Sequence, residues 1–209
     1  GLIFLKPQAV EKGSIGSSVN HIGFLVPNLD ELVPKLRAGG VRVVTQREVT
    51  TGKATGDIFF NTGTKQRLAF VLSPDDVKVE LIEDKNQKVP ITNHHIHFAT
   101  MDVPGMQAWY AKMFGAKPGK RGNFDAADLP GVNLTFSPAK EKPEGTKGRS
   151  LDHIGFEVKN LKEFCAKLEQ QGVAFQIPYR EVPALGLKIA FFTDPWGTYV
   201  ELTEGLDKL

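Results

Sequence analysis

Three times along the chain a short apolar run gives way to apolar residues spaced every three or four positions, then to several short alternating runs. The opening runs are Val19–Val26, His95–Thr100 and Asp152–Val158, which read as strands. Behind them Leu29, Leu32, Val33 and Leu36 fall on one helical face. Met106, Trp109, Tyr110 and Met113 do the same, as do Leu161, Phe164, Cys165 and Leu168, so a helix is predicted after each first strand. Asn28 with Glu31, and Asn160 with Glu163, have capping-box spacing. Gly40, Gly115 and Gly172 are placed to stop the helices, and Pro34 is expected to bend the first one. Two or three further strands follow each helix, separated by Gly, Pro and Asp turns. The pattern is βαβββ, with polar linkers at Asp84–Thr92 and Ala139–Ser150.

The units are copies of one another. HIGFLVPNLDELVPKLRAGGV from His21 and HIGFEVKNLKEFCAKLEQQGV from His153 share twelve of 21 positions without a gap. Their closing segments, FVLSPDDVKVEL ending at Leu81 and FFTDPWGTYVEL ending at Leu202, share Phe, Pro and Val-Glu-Leu. A further copy starts at Asn93, followed by HHIHFATMDVPG from His94, and closes with GVNLTFSP at Pro138. Residues 1–7 match the end of a unit, so they are expected to be the last strand of a unit one whose earlier part is absent. The complete copies are units two, three and four. Repetition on this scale sets the architecture before any local reading.

Composition narrows the classes. The 209 residues are 41% hydrophobic and 24% charged, the balance of a folded globular chain. With 26 basic and 24 acidic residues the net charge is +2, and no basic block marks a nucleic-acid surface. The one cysteine, Cys165, excludes an internal disulfide and is expected as a buried, inert thiol. No apolar run approaches the roughly 20 residues that span a bilayer, and no signal peptide is evident. A soluble protein, cytoplasmic by default, is expected, and the chain start looks truncated.

Tandem βαβββ units that open in HIGF and close in DPWGTYVEL resemble the vicinal oxygen chelate superfamily, the glyoxalase, bleomycin resistance protein and extradiol dioxygenase family. The resemblance covers almost the whole chain. It implies an α+β fold in which tandem βαβββ units pair into half-open β-barrels around a divalent metal. The ligands in that family lie on the first strand of each unit and on the last strand of one or both. Carried over with units three and four as the pair, they are His95, His153 and Glu201, and the last-strand position left over falls on the neutral Asn133. Residues 88–209 would then form a complete barrel domain of two units. Residues 1–87 would form an incomplete copy, with His21 and Glu80 as a second half-site or a relic.

The residue chemistry agrees with a metal. Two imidazoles and a carboxylate suit Fe, Mn, Zn, Co or Ni and leave positions open for two substrate oxygens. Strand alternation puts His95 and His97 on one face and His94 on the other, so His94 is expected on the outer surface. His97 is either a pocket base or core filling, and Glu201 is a candidate for catalysis as well as ligation. Tyr179 and Arg180 could meet an anionic substrate group or line a solvated strand edge, and Trp196 either covers a pocket mouth or packs. The partner is expected to be a small molecule, with no nucleic acid and no membrane, and a homodimer could cover the unpaired unit. Fold alone leaves the reaction open. A lyase or isomerase acting on neighbouring oxygens comes first, an extradiol-type ring-cleaving dioxygenase second, and a non-catalytic binding or resistance protein third. The dioxygenase reading is weakened because PYREVPALGLKIAFFTDPWG has no His, and Phe191 stands where that pattern carries Tyr.

Overall fold

A computed structural model describes residues 12–49 and 54–208, so the strand expected at Leu2–Leu5 lies outside the described residues. Unit two runs β1 (Val19–Val26), α1 (Leu29–Ala38), β2 (Arg42–Val43), the short α2 (Thr45–Glu48), β3 (Phe59–Asn61), β4 (Gln66–Leu72) and β5 (Lys78–Glu83). Unit three is β6 (Thr92–Thr100), α3 (Val103–Phe114), β7 (Lys117–Arg121), β8 (Phe124–Leu129) and β9 (Val132–Pro138). Unit four is β10 (Ile154–Glu157), α4 (Leu161–Gln170), β11 (Phe175–Val182), β12 (Leu187–Thr193) and β13 (Tyr199–Glu204). In each, the first strand pairs in parallel with the last: β1 with β5, β6 with β9, β10 with β13.

The helix ends follow local chemistry, with one exception. Asn28 Oδ1 accepts from the Glu31 amide at 3.2 Å while its Nδ2 donates to Glu31 Oε1 at 3.0 Å, a reciprocal cap. Asn160 makes no side-chain cap and sits at φ 52°. There the Leu161 amide donates instead to Glu204 Oε2 at 2.8 Å. Unit two repeats the device, since the Leu29 amide donates to Glu83 Oε1 at 3.1 Å. A carboxylate three residues past the closing Val-Glu-Leu glutamate thus anchors the starts of α1 and α4, while Asp102 caps α3. Pro34 lies within α1, which continues through it to Ala38.

The unit pairing differs from expectation. Units two and three share one sheet, in the order β2-β4-β5-β1-β6-β9-β8-β7 with β3 on β4, whereas unit four forms its own sheet, β10-β13-β12-β11. β1 and β6 run antiparallel at the centre, with Gly23 opposite His95 and His21 opposite His97. The short connection from Glu83 to Thr92 drops β6 directly beside β1, while the longer stretch from Pro138 to Ile154 carries unit four away. The shared sheet curls back on itself. Its β3–β4 and β7–β8 turns belong to opposite arms, yet a Cβ on Gly122 would lie 2.9 Å from Thr64 Cγ2.

Units three and four share a core rather than a barrel. On β6, His95 and His97 face the centre of the curl while Ile96 and Phe98 point the other way. That second face packs with Met106, Tyr110 and Met113 of α3 against Ile154, Phe156, Leu161, Cys165, Phe192 and Leu202 of unit four. Unit two holds a smaller core of its own around Val26, Leu29, Val33 and Leu81. One buried polar knot crosses the larger core. Asp194, from the DPWG turn, accepts from the Thr198 amide at 2.7 Å, the Trp196 amide at 2.9 Å and the Tyr110 hydroxyl at 2.9 Å. Trp196 packs on Trp109. Replacing Tyr110 by Phe removes a hydrogen bond to a buried carboxylate. It should lower the stability read from urea denaturation by about 1.5–3 kcal/mol, with no change at the histidine cluster described next.

Candidate metal centre

Four buried side chains from the facing strands meet inside the curl: His21 on β1, Glu80 on β5, and His95 and His97 on β6. Glu80 Oε2 lies 3.2 Å from His21 Nε2 and 3.1 Å from His95 Nε2. The two imidazole nitrogens are 3.4 Å apart. Ligands each about 2.0–2.2 Å from a single ion are separated by roughly 3.0–3.5 Å in octahedral or tetrahedral arrangements. The observed triangle has the edges of such a set.

Burial and mutual contact set the charge states. Desolvation lowers the pKa of His21 to about 4, against the opposing hydrogen bond from Glu80. Desolvation likewise lowers His95 and His97. Burial alone would raise Glu80, but the hydrogen bonds to His21 and His95 outweigh it and hold the carboxyl well below its usual range. The group is therefore neutral imidazoles around one carboxylate, the protonation state a divalent cation requires. His97 Nδ1 is buried with no hydrogen-bond partner, and an unsatisfied buried nitrogen of this kind is costly without a ligand. The donor set fits the divalent metal that the fold implies.

The supporting contacts orient the ligands. His21 Nδ1 contacts Asn20 Oδ1 at 2.9 Å, which leaves Nε2 to face the cluster. His95 is supported through Nδ1 by His94 Nδ1 at 2.9 Å. His94 was expected on the outer surface; it is half-buried and braces a ligand instead. Gly23 makes room, because a Cβ there would overlap the His95 ring. Its counterpart Gly155 has no such duty, the nearest atom to an added Cβ being Glu201 Oε2 at 3.7 Å.

The expected set is therefore divided. His95 does join a cluster, but with His21 and Glu80, the pair assigned to a half-site. His153 and Glu201 stay together in the separate sheet of unit four, with His153 Nε2 3.2 Å from Glu201 Oε2 and its Nδ1 2.8 Å from Asp152 Oδ1. Among the described residues no group joins them to His95. The hydrogen bond to Glu201 raises the pKa of His153 despite burial. The physical reason is the strand pairing: β10 has no first strand of another unit beside it. Glu201 accordingly lies outside the cluster and is not among its candidate catalytic groups.

Register also corrects the fourth position. Glu80 pairs with Gly23 and Glu201 with Gly155, while in unit three His97 pairs with Thr135 and His95 with Asn133. The counterpart of the two glutamates is thus Thr135, two residues beyond Asn133. Counting four residues on from Asp76, Gly131 and Gly197 would have found it. Unit three lacks the closing carboxylate, and its His97 stands where the other units carry glycine. Away from the cluster, Tyr179 bonds Glu181 at 3.0 Å, and burial raises the thiol of Cys165 to about 11, as an inert core cysteine should be.

The wider comparisons match this architecture. Residues 92–202 match the model of the Glyoxalase/Bleomycin resistance protein/Dioxygenase superfamily. The chain belongs to this superfamily. The matched span contains His95 and His97 but stops short of His21 and Glu80, so half of the cluster lies outside it. A lactoylglutathione lyase of Schizosaccharomyces pombe is 26% identical over 235 residues, covering 98% of this chain and 71% of the relative. Glyoxalase I from Zea mays superposes with a TM-score of 0.67 at 16% identity, over 90% of this chain and 68% of the other. A putative dioxygenase from Bacillus subtilis gives 0.63 at 12% identity, over 90% and 62%. Among the described residues no helix is long and apolar enough to cross a membrane.

Two outcomes follow for this superfamily member. Gly23→Ala should displace His95 and weaken zinc retention at least tenfold, whereas Gly155→Ala should leave both zinc and melting temperature near the parent. Metal analysis after dialysis, with thermal melts, separates them. The second concerns acid. His21 and His94 titrate at about 4 in the folded chain against about 6.5 when unfolded. The unfolded chain therefore binds more protons between those values, and stability falls as pH drops from about 6.5 towards 4. His153, raised, works in the opposite sense but is outnumbered. Urea midpoints of metal-free protein should decline between pH 7 and pH 5.

Proposed function

We propose that this superfamily member is a metal-dependent lyase or isomerase acting on a small molecule with neighbouring oxygens. The reading is carried by the buried His21–Glu80–His95 triangle, with His97 beside it. These three would hold the ion, and His97 is the adjacent proton carrier. The metal, when bound, would polarise a substrate carbonyl and stabilise the charge that develops on its oxygen. His97 supports the rest of the reading. Its Nδ1 has no partner and its ring centroid lies 4.4 Å from that of His21, tilted by 33°, so it is a neutral base with that nitrogen unoccupied. It takes the proton from the hydroxyl-bearing carbon next to the carbonyl and returns it to the former carbonyl carbon, while the hydroxyl proton passes from one oxygen to the other. Phe124, at 5.1 Å from the His97 ring, and Phe70, at 5.4 Å from His21, wall the cluster from water. Thr135, in place of a carboxylate, leaves His97 as the cluster's base.

The relative's name supplies a first substrate: lactoylglutathione carries a hydroxyl next to its thioester carbonyl. The test is carbon–hydrogen exchange in D2O, followed by NMR with zinc-, nickel- or cobalt-loaded protein, using lactoylglutathione and dihydroxyacetone. Exchange with one of them is expected, lost by at least a hundredfold in His97→Gln at unchanged metal content. His21→Ala should lose the metal itself. Retained metal with no exchange, or exchange that survives His97→Gln, overturns the reading. The two-histidine, one-carboxylate set also favours a second reading, an Fe(II) dioxygenase. Oxygen uptake by iron-loaded protein with a catechol would put that first.

Loading should also register as stability. Zinc at a hundred times its dissociation constant stabilises by about 2.7 kcal/mol, so a chelator should lower the melting temperature of the parent and leave that of His21→Ala unmoved.

A further inference from the structure

Arg121, at the end of β7, is largely buried beside the cluster, and its one ion pair among the described residues, with Glu80, is a long one. Its Nη2 lies 3.6 Å from Glu80 Oε2, beyond hydrogen-bond distance, and that oxygen already faces His21 and His95. Its Nε is buried with no hydrogen-bond partner. A guanidinium has five donors and no acceptor, so a buried one with an unfilled position is a site for an anion. Arg121 and its neighbour Lys120 wall an open cavity of about 550 Å³, with Asn93, His94 and Asn133 completing the polar lining. The acidic residue in that wall, Asp128, is engaged by Asn133 Nδ2 at 2.7 Å. His94 joins the cavity directly to His95.

The charges make the argument sharper. A divalent cation on the triangle and a guanidinium within reach of the same carboxylate oxygen repel each other through a water-poor interior. Glu80 alone stands between them, and an anionic group on the cavity side of Arg121 adds the negative charge that offsets the guanidinium. A carboxylate placed there would present its oxygens to the forked donors of Arg121 while its adjoining oxygen substituent faces the cluster. We propose that Arg121 is a clamp for a substrate carboxylate, so that a 2-oxo or 2-hydroxy acid binds in preference to a neutral carbonyl compound of the same size. This rests on the metal-centre reading above and narrows its substrate class.

The test uses two matched probes, hydroxypyruvate and dihydroxyacetone, which share neighbouring oxygens and differ in the carboxylate. In 15N NMR of the full chain, hydroxypyruvate should shift the Arg121 Nε–H signal and dihydroxyacetone should not. In calorimetric titration, Arg121→Gln should weaken hydroxypyruvate binding by about ten- to a hundredfold and leave dihydroxyacetone unchanged, with Arg121→Lys intermediate. An unmoved Nε signal, or equal weakening for both probes, overturns the clamp. Should Arg121→Gln fail to fold, the signal of the parent protein still decides. Zinc titration of the same sample reads the metal centre separately. No zinc uptake with a shifted signal sinks the metal reading and keeps the anion site; zinc uptake with an unmoved signal does the reverse.

Discussion

A carboxylate taken out of water must be matched, and Glu80 is matched by strands that meet nowhere else in the chain. Its own strand, β5, supplies no partner. The nitrogens that face it come from β1, its parallel neighbour, and from β6, the first strand of the next unit. The cost of an unpaired buried carboxylate is several kcal/mol, so a slip of β6 by one residue would be severe. It would turn His95 and His97 outward and put Ile96 and Phe98 against Glu80. The same slip would withdraw the apolar face of β6 from α3 and unit four. One ionised oxygen therefore ties the register of the central strands to both the site and the larger core.

This dependence explains what could be read from the amino-acid pattern. The three βαβββ units, the faces of their helices and the chemistry of His21, Glu80, His95, His153 and Glu201 are all local, and periodicity or repetition exposes them. Which units pair is not local. HIGF and Val-Glu-Leu occur in both units two and four, so either could have offered its histidine and glutamate to unit three. The discriminating features were two small ones. The connection between β5 and β6 is short enough to lay β6 beside β1, and the residue facing His95 across that pair must be glycine. Gly23 meets the requirement, but its reason is invisible until the strands are paired, since Gly155 sits in the same motif with nothing to accommodate.

Arg121 was hidden for a different cause. It lies in Lys-Pro-Gly-Lys-Arg, which reads as an exposed basic edge, and four of the five residues of β7 are exposed as that reading implies. Curling brings the end of this edge strand over the centre of the sheet. Position along a strand then matters more than residue type. The same curling half-buried His94, because its outward face became the wall of a cavity rather than open surface.

Units two and four begin from nearly the same residues and end in different electrostatic states. Around His153, two carboxylates serve one partly exposed imidazole, and the pair is satisfied by protonation alone. Around Glu80, two buried imidazoles and the more distant Arg121 face one carboxylate with His97 beside them, and burial withholds protons from the imidazoles. Adding His95 and His97 to the HIGF–Val-Glu-Leu pair thus converts a self-sufficient salt bridge into a set of neutral nitrogen donors around one carboxylate. These donors are placed as a divalent ion would need them, with the strands paired as they are. The step from structural pair to candidate metal centre lies in the imidazoles that unit three brings to the sheet: His95 against Glu80, and His97 where its repeats keep glycine.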